Sequence, residues 1–296
     1  MSKLDAFIQE KQQRSEEWKA QKTAERDELN AWSDNAILTA TMEPNAYLHY
    51  LDVQADNPRY SASNILLAME QNPEITYINS LKGWNELGRS VKREETGLKV
   101  RVSDPYIKDG RQHRGYKIGR VFDISQTTGK GTVPKLTVRE NTPEMDTALR
   151  KLLDLSPVKI VTSTTTYEDA RYDPASQEIT VSANLTDCQT FTALAREIVH
   201  AQIHNHGQYP YYSRNECALD ADSVSYMLCR SFDLPAKKPD VSRIATSFND
   251  MDAQDRRGVL DSLQQLFRRM QGEIQREVSP QERKQEQNRP ARSGGM

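Results

Sequence analysis

The sequence predicts an α+β protein in two parts, a small α+β part followed by a mostly helical part with a short sheet. Two observations carry this. Between Ala46 and Thr132 a helical stretch is followed by short β-type runs. After Val158 two further β-type runs give way to long helical patterns at about 187–205, 215–232 and 253–276. No run approaches the roughly 20 apolar residues that a membrane helix needs, so no membrane partner is expected.

Residues 1–45 form a charged, helix-favouring arm with no Gly or Pro before Pro44. Its apolar positions Leu4, Phe7, Ile8 and Trp18 are too sparse for a broad core-facing stripe, so a solvated helix is expected. Ser61 to Gln71 is a helix candidate with Ser61 or Ser63 as N-cap and Asn72-Pro73 as its stop. Ile75–Ile78, Lys99–Val102 and Tyr116–Ile124 read as strands. Thr142–Leu153 is a connecting helix with Pro143 in its first turn. Val158–Val161 and Glu178–Val181, the latter after the Asp173-Pro174 turn, are β-type. The expected parts are 1–45, 46–135, 136–278 and a Gln/Arg/Glu-rich disordered tail at 279–296.

The N-terminus lacks the apolar stretch of a secretory signal. Cys188, Cys217 and Cys229 are odd in number and form no CxxC pair, which fits reduced thiols in a cytoplasmic protein.

A net charge of −2 hides segregation. From Lys82 to Arg120 there are eleven Lys and Arg against five Asp and Glu, a surplus of six, so the remainder of the chain carries −8. Tyr77, Trp84, Tyr106, Tyr116 and Phe122 interleave or flank these cations. Cations that neutralise phosphates, beside rings on which bases stack, are the physical recipe for single-stranded nucleic acid. A solvated charged face with Trp84 and Phe122 in the core is the other reading of the same residues.

Three ordered blocks sharpen this. They are Pro58-Arg59-Tyr60-Ser61 with Asn64 and Gln71-Asn72-Pro73, then Gly83-Trp84-x-x-Leu87-Gly88-Arg89-x-Val91-Lys92-x-x-Glu95-x-Gly97, then Val121-Phe122-Asp123-Ile124-Ser125-Gln126-Thr127. Together, over about residues 46–130, they resemble the N-terminal domain of ArdC-type antirestriction proteins of conjugative elements. The resemblance implies sequence-independent binding of single-stranded DNA and a role in antirestriction. Tyr60, Asn64, Trp84, Arg89, Lys92 and Lys99 are the expected contacts, Trp84 serving equally well as a core residue. Gly88 and Gly97 are placed to bracket tight turns around a basic hairpin.

Three of the five histidines, His200, His204 and His206, cluster at the end of a helix whose start has capping-box spacing at Thr186 and Gln189. Arg196, His200 and His204 recur every four residues on one stripe, with Glu197 beside it. Leu194-Ala195-Arg196-Glu197-Ile198-Val199-His200-Ala201 resembles the zincin helix with its first metal-binding histidine replaced by Arg196. In that pattern histidines at i and i+4 hold zinc while the intervening glutamate activates water. Tyr172-Asp173-Pro174 and Ile179-Thr180-Val181 resemble the preceding turn and strand, and Asp220-Ala221 stands where the third ligand is expected, so the resemblance spans about 165–276.

Arginine stays protonated and offers no lone pair, so His200 and Asp220 alone are too few for a three-ligand catalytic site. The favoured expectation is a metal-free, catalytically degenerate zincin-like half with Arg196 paired to Asp220, no cofactor, and a binding function instead of an enzymatic one. The alternative is a shifted zinc site on His200 and His204 with Asp220 or Glu216, and Glu197 as general base of a peptidase. No protein partner can be named.

Overall fold

The structure, a computed structural model, describes residues 3–113, 115–205 and 212–279. It is α+β, as the sequence predicts. The expected tail from Pro280 onward and His206 lie outside the described residues.

The chain opens with α1 (Lys3–Met42) and α2 (Pro44–Asp56), then α3 (Ala62–Gln71), which Ser61 caps by accepting the Asn64 amide. A β-layer follows: β1 (Ile78–Asn79), the short α4 (Leu81–Glu86), β2 (Arg89–Val91), β3 (Leu98–Ser103), β4 (Tyr106–Lys108), β5 (Arg111–His113), β6 (Tyr116–Asp123) and β7 (Thr127–Gly129). β1, β6 and β3 form one antiparallel sheet in that order, while β2 pairs with β7 and β4 with β5. After α5 (Pro143–Asp154), a second sheet of β8 (Lys159–Ser163), β9 (Ala170–Asp173) and β10 (Glu178–Ser182) has β10 in the middle, parallel to β8 and antiparallel to β9. The helices α6 (Asp187–Asn205), α7 (Ala218–Ser231), α8 (Ile244–Ser247) and α9 (Ala253–Val278) complete the fold. Among the described residues no helix is long and apolar enough to cross a membrane.

Two sequence expectations change. Of the first expected strand only Ile78 joins the ladder, together with Asn79 beyond it, because the Asp123 carboxylate takes the amides of Thr76 (2.8 Å) and Tyr77 (3.1 Å) first. Gly88 does turn the chain, at φ +70°, but Gly97 is needed for space: a Cβ there would lie 2.8 Å from the Phe122 ring. The segment between these glycines is no hairpin, since β2 leaves to pair with β7. The hairpin is β4–β5, turned by Asp109 (φ 53°) and Gly110 (φ 69°), the pair of positive φ values that a tight two-residue turn demands.

The arm is less solvated than its composition suggests. Leu29, Ser33, Ala36, Ile37, Ala40 and Thr41 bury one helical stripe, while its first half stays exposed, Trp18 included. The stripe escapes a hydrophobicity pattern because Ser, Thr and Ala make up most of it. Helix α9 lies against α5 and α7 and also against α1 and α3, so helices from both expected parts share one buried core. Polar ties cross this seam: Arg256 donates to Thr41 Oγ1 (2.8 Å), Gln264 to the Pro58 carbonyl (2.9 Å), and Tyr47 and Ser223 share a hydrogen bond of 2.9 Å.

β3 is an outer strand, and α3 closes its open side with side chains. The Asn64 carboxamide accepts from Arg101 N–H and donates to its carbonyl, both at 2.9 Å. Gln71, two turns later, does the same for Lys99 at 2.8 and 2.9 Å. Truncating one amide leaves a backbone donor and acceptor without partners in a half-buried place. Asn64→Ala is therefore expected to cost about 1–3 kcal/mol in urea unfolding. A variant as stable as the parent would show that water replaces the amide without loss.

Candidate functional site

The helix α6 starts where local chemistry dictates. Thr186 and Gln189 exchange side-chain to backbone bonds, and the Glu140 carboxylate accepts the next two amides, Asp187 (2.6 Å) and Cys188 (3.1 Å), at the positive end of the helix. From there Glu197 and His200 are carried into the interior, where they are 1% and 0% exposed.

Glu197 is caged. Arg214, from the loop before α7, grips it with both arms, at 2.8 Å to Oε2 and 2.6 Å to Oε1. Arg196 adds a bond to Oε1 at 3.1 Å, and the Tyr172 amide on β9 donates to Oε2 at 2.6 Å. A carboxylate whose lone pairs are taken by two guanidiniums and an amide has no acceptor site left to orient a water. The Arg214 guanidinium is in turn held firmly protonated by this hydrogen bond. Arg214 carries no motif and was not visible in the sequence.

Arg196 pairs with Asp222, not with the expected Asp220. Residues 220 and 222 sit about 200° apart around α7, so only one of them faces α6. Asp220 is buried instead, near the Tyr47 hydroxyl whose ionisation its charge opposes.

The histidines are embedded among tyrosines. His200 Nδ1 shares a hydrogen bond with the Tyr212 hydroxyl (3.1 Å) and His204 Nδ1 with the Tyr172 hydroxyl (2.7 Å). The Tyr212 ring stacks on His204 at 4.9 Å and 26°. Burial, with Arg214, Arg196 and Arg171 adding to it, pulls His200 down to about 3, so it is neutral near pH 7. Its Nε2 is buried and has no hydrogen-bond partner among the described residues.

A metal of the zincin kind does not fit this donor set. The position where the sequence resemblance would put a first ligand carries Arg196, a cation, and both nearby carboxylates, Glu197 and Asp222, are paired with guanidiniums. Among the described residues no group of three or more His, Cys, Asp or Glu is placed to hold an ion. Beside Arg196 opens a cleft of about 830 Å³, reaching from Tyr167 and Ala170 past Arg214 and Asp222 to Lys237 and Lys238.

The residues expected on the nucleic-acid face are largely spent inside the fold. Trp84 is fully buried, its indole N–H donating to the Phe122 carbonyl at 2.9 Å and its ring meeting Tyr77 edge-on. Asn64 seals β3. Arg89 ties Thr127 and the Gly131 carbonyl at 2.8 and 2.9 Å. Lys99 lies under α1, 3.3 Å from Glu28 and 5.3 Å from the Trp32 ring. Tyr60 packs half-buried against the core. Lys92 is exposed and donates to the Ser125 carbonyl at 2.6 Å. The six expected contacts thus do not form one open groove.

No protein-family model and no curated protein matches the chain. Two solved structures of the antirestriction protein ArdC from plasmid R388 are similar to it. The metal-free one is 18% identical with a TM-score of 0.48, covering 74% of this chain and 85% of that one. The Mn(II)-bound one is 19% identical with a TM-score of 0.48, covering 74% and 89%. At these values the metal and the activity of those proteins do not transfer to this chain.

Two outcomes follow from the cage. Arg214→Ala strands a buried carboxylate and is expected to destabilise by about 3–5 kcal/mol in urea melts, with Glu197→Gln added in the same chain recovering part of the loss. An Arg214→Ala variant of parental stability would mean that Arg196 alone neutralises Glu197. Separately, the folded His200 binds a proton far less readily than the unfolded one. Stability from this group is therefore complete above pH 6.5 and falls as pH drops toward 3, by up to about 1.4 kcal/mol per unit. His200→Gln should flatten the difference in melting between pH 7 and pH 5, and an unchanged difference would assign the acid sensitivity to other groups.

Proposed function

We propose that this protein binds single-stranded DNA without sequence preference, in an antirestriction role on a mobile element, and that its zincin-like half is catalytically degenerate. The observation that carries the binding is the presentation of charge. Lys82, Lys92, Arg93, Arg111, Lys117 and Arg120 are exposed on the β-layer and its flanks, within the segment that holds a surplus of six positive charges in a chain of net −2. Cations held at a surface release counterions when a phosphate chain replaces them. The motif blocks across residues 46–130 support the antirestriction role. Of the residues expected from those blocks, Lys92 keeps an open path to a phosphate and Tyr60 an incompletely buried ring.

The caged Glu197 supports degeneracy, since a zincin needs this carboxylate free beside its metal-bound water. The peptidase reading retains one supporting observation, the unpartnered Nε2 of His200, a nitrogen of the kind a metal would use. Metal content therefore separates the two. The purified chain is expected to carry well under one zinc per protein, unchanged by Arg196→Ala. Stoichiometric zinc lost on His200→Ala would establish the peptidase reading instead.

For the binding itself, a gel-shift with a labelled strand of about 30 nucleotides across a salt series should show affinity falling steeply with salt. Absence of salt-sensitive binding at low-micromolar protein, or equal binding to an uncharged backbone mimic, would overturn the proposal.

A further inference from the structure

We infer that the β4–β5 hairpin is the element that engages single-stranded DNA, with the Tyr106 and His113 rings as its base-stacking platform and Arg111 as its phosphate contact. The inference rests on the single-strand reading above and gives it residues, because the side chains first expected to do this work are occupied elsewhere.

β4 and β5 continue the ribbon of β3 and β6 beyond the sheet, with the Asp104 amide bonded to the Gly115 carbonyl (2.7 Å) at the joint. Tyr106 and His113 stand directly opposite each other, their rings stacked at 5.4 Å and 19°. Such a pair is already flat and parallel, the arrangement that a base extends by stacking on its open side. The Tyr106 ring is also fixed from below. A Cβ on Gly115 would fall 2.9 Å from Tyr106 Cδ1 and 2.6 Å from the Asp104 carbonyl oxygen, so only glycine lets the ring lie against the chain there. A platform held before binding loses little freedom on binding.

Charge completes the surface. Side chains alternate along a strand, so Arg111, two residues before His113, emerges on the same face as the two rings. Arg111 is exposed. On the adjoining ribbon Arg120 is exposed as well, and Lys117 stands at the stem against Asp104 (2.9 Å). Aromatic surface stays open here: Tyr106 is 50% exposed, and Tyr116, at the stem of the ribbon, 67%. Rings beside exposed cations suit a polyanion that also offers flat faces. Unpaired bases offer them, whereas the bases of a duplex are stacked on one another and present only their edges.

The test is fluorescence anisotropy on the full chain with three labelled probes: an oligothymidine of about 30 nucleotides, an abasic strand of equal length and charge, and the corresponding duplex. The expected result is that Tyr106→Ala/His113→Ala weakens oligothymidine binding about tenfold or more and leaves abasic binding unchanged. Arg111→Gln should lower the slope of log affinity against log salt by about 0.7 on both single strands. The hairpin faces solvent, so both variants should melt with the parent, and far-UV circular dichroism checks this. Unchanged oligothymidine affinity in the double variant, alongside firm binding by the parent, overturns the hairpin assignment and leaves the single-strand reading standing. A parent that prefers duplex, or that binds abasic and oligothymidine strands equally, overturns the stacking platform. A parent that binds none of the probes overturns both.

Discussion

A carboxylate cannot be taken out of water alone, and the second half of this molecule is arranged around that constraint. Glu197 rides into the interior on α6 and is met there by groups from two other places, the Tyr172 amide of the second sheet and Arg214 from the loop before α7, and by Arg196 one residue away on its own helix. Arg196 in turn reaches Asp222 on α7. One buried charge thereby joins a helix, a strand, a loop and a second helix. Burial first, and then the same guanidiniums, oppose protonation of His200, so the neighbouring imidazole is neutral where it bonds Tyr212. The cations that balance this carboxylate are arginines of the chain itself.

What could be read from the residues was local. The boundaries of α6, the Ser61 cap and the α5 start at Thr142 and Pro143 depend on neighbours a few positions away, and they appear where the spacing puts them. The cage could not be read, because it depends on how α7 is rotated about its axis and on where a loop arginine comes to rest. Two positions along α7 decide whether Asp220 or Asp222 meets Arg196, and spacing alone treats them alike. The buried half of α1 stayed hidden because its stripe is mostly small and weakly polar. The Asp109-Gly110 turn was legible, since that dipeptide marks a tight hairpin, but polar residues at Gln112 and His113 blurred the alternation that would have drawn attention to it.

The residues expected to meet nucleic acid show a different limit. Residue type states what a side chain is able to do, and packing decides with whom it does it. Tryptophan, arginine and lysine at 84, 89 and 99 have the chemistry for bases and phosphates, yet the fold gives them a carbonyl, a strand end and two glutamates. The exposed cations and rings lie instead on residues without motifs, on the β4–β5 ribbon and the strands that lead into it.

The amides that seal β3 matter beyond the strand they serve. An outer strand shows a row of unsatisfied N–H and C=O groups to any other extended chain, and two copies can zip together along it. Here Asn64 and Gln71 occupy those groups at Lys99 and Arg101, so the first sheet ends at β3 by chemistry. The exposed aromatic ribbon of β4 and β5 therefore stands next to a sheet edge that offers no template for further strands at Lys99 and Arg101.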